Sequence, residues 1–193
     1  YLDSIGQIFG LATDDSANVY LASSDVYLYP SIQPGGIPTG NIYKARPPLF
    51  RAEVFATLPN TGGDFNGIGN IVYDRKHNQL FATNLEDGKI YRISNTGAIL
   101  SMYDPFVADN GNNGIVVQSE QIWGLGINYE SDSTKLYFPR ISGATRELWS
   151  LKLLNSGAFP AANTHRRELS TLPGDEVRIT DIAFSNSGQN MLF

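Results

Sequence analysis

Gly69-Asn70-Ile71-Val72-Tyr73-Asp74, followed after a short polar turn by Leu80-Phe81-Ala82-Thr83, is the phrase that decides the fold. It recurs three more times. Its counterparts are Phe9-Gly10-Leu11-Ala12-Thr13-Asp14 with Val19-Tyr20-Leu21-Ala22, Trp123-Gly124-Leu125-Gly126-Ile127-Asn128 with Leu136-Tyr137-Phe138, and Thr180-Asp181-Ile182-Ala183-Phe184-Ser185 with Met191-Leu192-Phe193. The four phrases start 60, 54 and 57 residues apart. A fixed period of this size is the mark of a repeat architecture. Both segments are rich in β-branched and aromatic residues, and each pair is joined by turn-forming residues, so each phrase predicts two antiparallel strands.

Two further strands follow in each of the first three units. The third is Asn41-Ile42-Tyr43-Lys44, Lys89-Ile90-Tyr91-Arg92 and Glu147-Leu148-Trp149-Ser150. The fourth is Glu53-Val54-Phe55-Ala56, Ala98-Ile99-Leu100-Ser101 and Glu168-Leu169-Ser170-Thr171. Four strands per unit of roughly 57 residues predicts an all-β fold, a β-propeller with four-stranded blades. The first strand of each unit pairs a large residue (Leu11, Ile71, Leu125, Ile182) with a small one (Ala12, Gly126, Ala183), Val72 being the exception. That pattern suits a strand near the propeller axis, buried on both faces with one face kept small. Asp14, Asp74, Asn128 and Ser185 end that strand, and each side chain is able to bond the backbone two residues on and start a turn.

The sequence reads as one partial propeller domain over 1–193, with blades at approximately 8–58, 66–103, 121–172 and a truncated 178–193. Three blades and part of a fourth make an incomplete ring, since propellers have four to eight blades. The uncovered face of an end blade is apolar. Burying several hundred Å² is worth on the order of 10 kcal/mol, so the expected partner is the rest of a longer polypeptide or another protein.

Composition narrows the function. The 193 residues carry 14 Lys and Arg against 19 Asp and Glu, a net charge of −5. Such a surface repels phosphate backbones, which argues against nucleic-acid binding. No apolar run is long enough to insert in a membrane as a helix. The chain has no cysteine, so thiolate metal sites and cysteine nucleophiles are excluded. It has two histidines, His77 in a polar turn and His165 beside Arg166 and Arg167, and no Gly-x-Ser-x-Gly elbow.

The phrases at 69–74, 78–84, 87–92 and 179–185 resemble NHL- and SMP-30-type propeller repeats. With Tyr103-Asp104-Pro105-Phe106 and Gln121-Ile122-Trp123-Gly124-Leu125, the chain is similar to propeller regions of large exported bacterial surface proteins. This resemblance implies an extracellular or cell-envelope location and a non-catalytic role as scaffold, adhesion or protein-interaction surface. It also implies the main alternative, a metal-dependent hydrolase of the SMP-30 or lactonase kind. Hydrolases of that kind hold a divalent cation at the channel mouth through Glu, Asn and Asp. The equivalent positions here offer Asn66, Asn70 and Asp181, together with Phe9 and Trp123, which cannot ligate a hard cation. The ligating Glu has no evident counterpart.

Two other sites are legible. Asp109-Asn110-Gly111-Asn112-Asn113-Gly114, with Glu120 five residues further on, approximates a calcium loop with ligands at Asp109, Asn113 and Glu120 and Gly at its sixth position. Calcium is therefore the one cofactor the sequence suggests. The long loops carry Tyr27, Tyr29 and Phe159, which suit a contact surface. Stacking of a carbohydrate on Trp123, Phe9 or the loop tyrosines is the third reading.

Overall fold

A computed structural model describes residues 5–24, 40–59, 67–106, 116–142, 145–170, 178–185 and 187–193. The first unit contains β1 (Gln7–Thr13), β2 (Val19–Ser24), β3 (Asn41–Arg46) and β4 (Arg51–Thr57). The second contains β5 (Ile68–Asp74), β6 (Gln79–Asn84), β7 (Ile90–Ser94) and β8 (Ile99–Tyr103). The third contains β9 (Gly126–Glu130), β10 (Ser133–Ser142), β11 (Thr145–Lys152) and β12 (Arg166–Ser170), and the fourth β13 (Ala183–Phe184) and β14 (Met191–Leu192). Each of the first three units is a four-stranded antiparallel meander in chain order, and the fourth is a two-stranded ribbon. Among the described residues the only helical element is a 3-10 turn at Gln118–Glu120. Among the described residues the sheets do not close into a ring.

The turns form as the strand-ending residues dictate. Asp14 Oδ1 accepts the amides of Ser16 and Asn18, Asp74 Oδ1 that of Lys76, and Ser185 Oγ that of Asn190. Asn128 departs from this pattern. Its amide donates to Gly188 O, and so ties the third sheet to the turn of the fourth.

The sheets stack through three apolar seams. Ala12, Tyr20, Ala22 and Ile42 of the first sheet meet Ile71, Leu80, Ala82 and Tyr91 of the second. The opposite face of the second sheet, with Phe81, Ile90 and Tyr103, meets Leu125, Leu136, Phe138 and Leu151. Tyr137 and Leu148 then meet Ile182, with Phe184 and Met191 alongside. Tyr20 stacks on Tyr73 at 6.1 Å, and Tyr137 tilts against Phe184 at 4.8 Å. The small residues of the inner strands let the backbones approach. A Cβ on Gly10 would lie 2.9 Å from Ile71 N, and one on Gly126 would lie 2.7 Å from Ile182 O.

One expectation holds for three units and fails for the first. Ile71, Leu125 and Ile182 occupy one register position, and each is buried against the preceding sheet, with exposures of 1%, 0% and 4%. Leu11 occupies the same position and is 61% exposed. Ile8 is 40% exposed where its counterpart Ile68 is at 0%. Among the described residues no sheet precedes the first one, so its outer face meets nothing.

Candidate functional site

The inner strands and their lead-in segments converge at one end of the stack. Asn70, 5% exposed, stands at the centre. Its Nδ2 donates to Thr180 O at 2.9 Å and to Asp181 Oδ1 at 3.1 Å, and its Oδ1 accepts the Ile71 amide. Its own amide donates to Thr83 Oγ1 at 2.8 Å. Asp181 Oδ1 also accepts the Ile182 amide. Residues of the second and fourth units, 111 positions apart in the chain, are therefore tied directly. Phe9 and Trp123 form a second tie, from the first unit to the third, edge to face at 5.6 Å. Trp123 is 5% exposed, and the Arg178 guanidinium lies 4.3 Å over its ring.

The arrangement therefore unites four of the residues singled out by sequence: Phe9, Asn70, Trp123 and Asp181. The Asn70 side-chain amide is committed to neighbouring backbone and to Asp181, and Asp181 Oδ1 to Asn70 and the Ile182 amide. No group of three His, Asp or Glu side chains suited to a metal ion occurs among the described residues. Asn66, Asp109, Asn113, Tyr27 and Tyr29 lie outside the described residues. Glu120 ends the 3-10 turn, with its backbone oxygen against Gly88. Phe159 packs inward, tilted on Phe81 at 5.4 Å and on Tyr103 at 5.6 Å.

Sequence reading missed two polar clusters on the seam between the second and third sheets. The first surrounds Asp74, whose side chain is fully buried. Its carboxylate lies 2.6 Å from His77 Nδ1 and accepts from Gln79 Nε2 at 2.9 Å and from Tyr129 Oη at 3.3 Å. Gln79 Nε2 also donates to Gly157 O, and His77 Nε2 lies 3.1 Å from Asn155 O. His77, which the sequence places in a polar turn, is thus part of an interface. Burial, reinforced by the Asp74 charge, pushes the Tyr129 hydroxyl well above its ordinary range.

The second cluster surrounds His165. Its Nδ1 lies 2.8 Å from Tyr103 Oη, and its ring stands edge-on to Tyr103, Phe138 and Trp149. Burial, and then the nearby Arg140 charge, hold the imidazole below its usual value of 6.5. The fold therefore favours neutral His165. Its stabilising effect is complete above the unfolded value, near 6.5, and declines as pH falls from there through the lowered folded value. Urea midpoints should fall between pH 7.5 and pH 5, and His165→Gln should flatten that segment of the profile. A slope unchanged by the substitution would contradict this origin.

No family model matches the chain, and no curated protein matches it significantly. Solved structures do. The major allergen Mala s 1 of Malassezia sympodialis is 16% identical with a TM-score of 0.54, over 96% of this chain and 49% of that one. A candidate 6-phosphogluconolactonase from Bacteroides uniformis ATCC 8492 is 10% identical with a TM-score of 0.56, over 96% of this chain and 46% of that one. The Dos1 propeller is 10% identical with a TM-score of 0.49, over 86% and 35%. At these identities the likeness concerns fold alone, and the four-stranded antiparallel sheets of this chain are consistent with a propeller. The chain spans less than half the length of each of these three.

Proposed function

We propose that this chain is a non-catalytic propeller module of a larger exported protein and acts as a scaffold or protein-interaction surface. The observation that carries the reading is the state of Asn70. Its amide is committed to Thr180 O, Asp181 and the Ile71 amide, and the site it shares with Phe9 and Trp123 is a tie between units. A metal-dependent hydrolase needs its equivalent oxygens turned toward a cation with open coordination positions. A module that holds its inner strands together has no such need.

The outer face of the first sheet fits the same reading. Ile8 and Leu11 present the side chains that Ile68 and Ile71 bury against a neighbouring sheet. The partner of this face is another four-stranded sheet, supplied by the remainder of a longer polypeptide. The extracellular or envelope location rests on the resemblance to exported surface proteins.

The test is an assay of γ- and δ-lactone hydrolysis with Ca²⁺, Mg²⁺ or Zn²⁺ supplied in turn. The expected result is no turnover above the uncatalysed rate. Metal-dependent turnover that disappears in Asp181→Asn would overturn the reading in favour of the hydrolase. The calcium reading of Asp109, Asn113 and Glu120 is tested separately by thermal melting with and without EDTA. A lower midpoint on chelation supports it, and an unchanged midpoint removes it.

A further inference from the structure

We propose that the β3–β4 turn, Arg46-Pro47-Pro48-Leu49-Phe50-Arg51, is a docking tip that seats Leu49 and Phe50 in an anionic lipid surface. All six residues are exposed, Leu49 at 74% and Phe50 at 52%. A single exposed leucine needs no explanation. Here two large apolar side chains stand side by side at the end of a hairpin, and no described residue covers them.

The equivalent turns of the other sheets show how this one departs. Gly97 and Gly157 follow β7 and β11, each just before the alanine that closes its turn, as Phe50 comes just before Arg51. Both glycines have positive φ, 90° and 75°, and both end polar stretches, Asn95-Thr96-Gly97 and Asn155-Ser156-Gly157. The first turn holds Phe50 at φ 46° instead. That is the left-handed region, which a bulky side chain enters only under strain. Reversal of the chain alone is served by Gly and small polar residues. A phenylalanine kept at a strained and solvent-facing position points to a use for its side chain.

The rim of the tip is cationic. The described first unit has three carboxylates, and each is matched by a cation. Lys44 lies 3.6 Å from Asp14, Arg75 3.4 Å from Asp15, and Arg46 2.9 Å from Glu53. Arg51 has no ion-pair partner among the described residues. The whole chain carries −5, but at 0.1 M salt charges beyond about 10 Å are largely screened, so the guanidinium at the tip governs what the tip meets.

These features favour lipid over a protein groove. Two side chains fall well short of the roughly 800 Å² per partner that a specific protein interface buries. A lipid surface needs no complementary shape. It takes an apolar tip at the acyl boundary while the flanking cation meets anionic headgroups.

Flotation of the whole chain with mixed phosphatidylglycerol–phosphatidylcholine vesicles, and with phosphatidylcholine vesicles alone, reads the docking. Stronger binding to the mixed vesicles is expected, and it should weaken as salt is raised. Phe50→Gly supplies the residue that the other two turns use, so the melting midpoint should not fall. Its partition onto mixed vesicles should drop about tenfold or more, the worth of one buried aromatic side chain. Arg51→Gln should also lower binding to the mixed vesicles. Leu192→Ser, at a leucine 75% exposed in the fourth unit, should leave partition unchanged. Absence of flotation would overturn the proposal in favour of a protein partner. Equal partition of the Phe50→Gly and Leu192→Ser variants, or equal binding to the two kinds of vesicle, would overturn it as well.

Discussion

Truncating Leu125 to alanine is expected to destabilise the protein by about 2–5 kcal/mol, the range for removing a buried leucine, while Leu11→Ala changes stability by under about 0.5 kcal/mol. The two leucines hold the same place in the repeat. Leu125 has no exposed surface, because the second sheet covers it, and Leu11 is 61% exposed. The cost of the truncation measures the presence of a neighbouring sheet, not the residue type. Urea unfolding of the two variants gives both numbers. Equal costs at the two positions would mean that sheet stacking is not what buries the repeat. In a polypeptide that supplies a preceding sheet, the cost at Leu11 should rise toward that at Leu125.

The second large effect is expected at Asp74. Asp74→Ala should cost about 3–5 kcal/mol, the range for removing one partner from a buried charged network. Gln79 Nε2 and Tyr129 Oη would lose an acceptor, His77 Nδ1 would lose its carboxylate neighbour, and the fold offers no replacement at 0% exposure. Water cannot restore the buried Gln79 bond without opening the seam. The loss should also appear as faster hydrogen exchange on both sides of the seam, in β6 and β9. A cost below about 1 kcal/mol would place Asp74 among ordinary turn residues.

The fold was largely legible because the repeat constrains it in several ways at once. Ile71, Leu125 and Ile182 share a register position, and their strand-ending neighbours Asp74, Asn128 and Ser185 open a turn or, in the case of Asn128, tie one. Leu11 could not be read correctly from its own residue type. Its burial depends on a sheet next to it, which is a property of the assembly. The candidate site was legible only in part. Asn70 and Asp181 stand at positions that the resemblance marks, but their mutual bond depends on how far the inner strands close in. The cluster of Asp74, His77 and Gln79 with Asn155 and Gly157 joins residues about 78 positions apart. It leaves no local signal, since it arises where separate units meet.

The direct test of converging inner strands is a double-mutant cycle on Asn70→Ala and Asp181→Ala, read by equilibrium unfolding. The two side chains are 111 residues apart in sequence and 3.1 Å apart in the fold. A coupling energy of about 0.5 kcal/mol or more, within the range for residues in contact, is predicted. Strictly additive effects would mean that the second and fourth units do not meet, and would contradict the stacked, axis-centred arrangement.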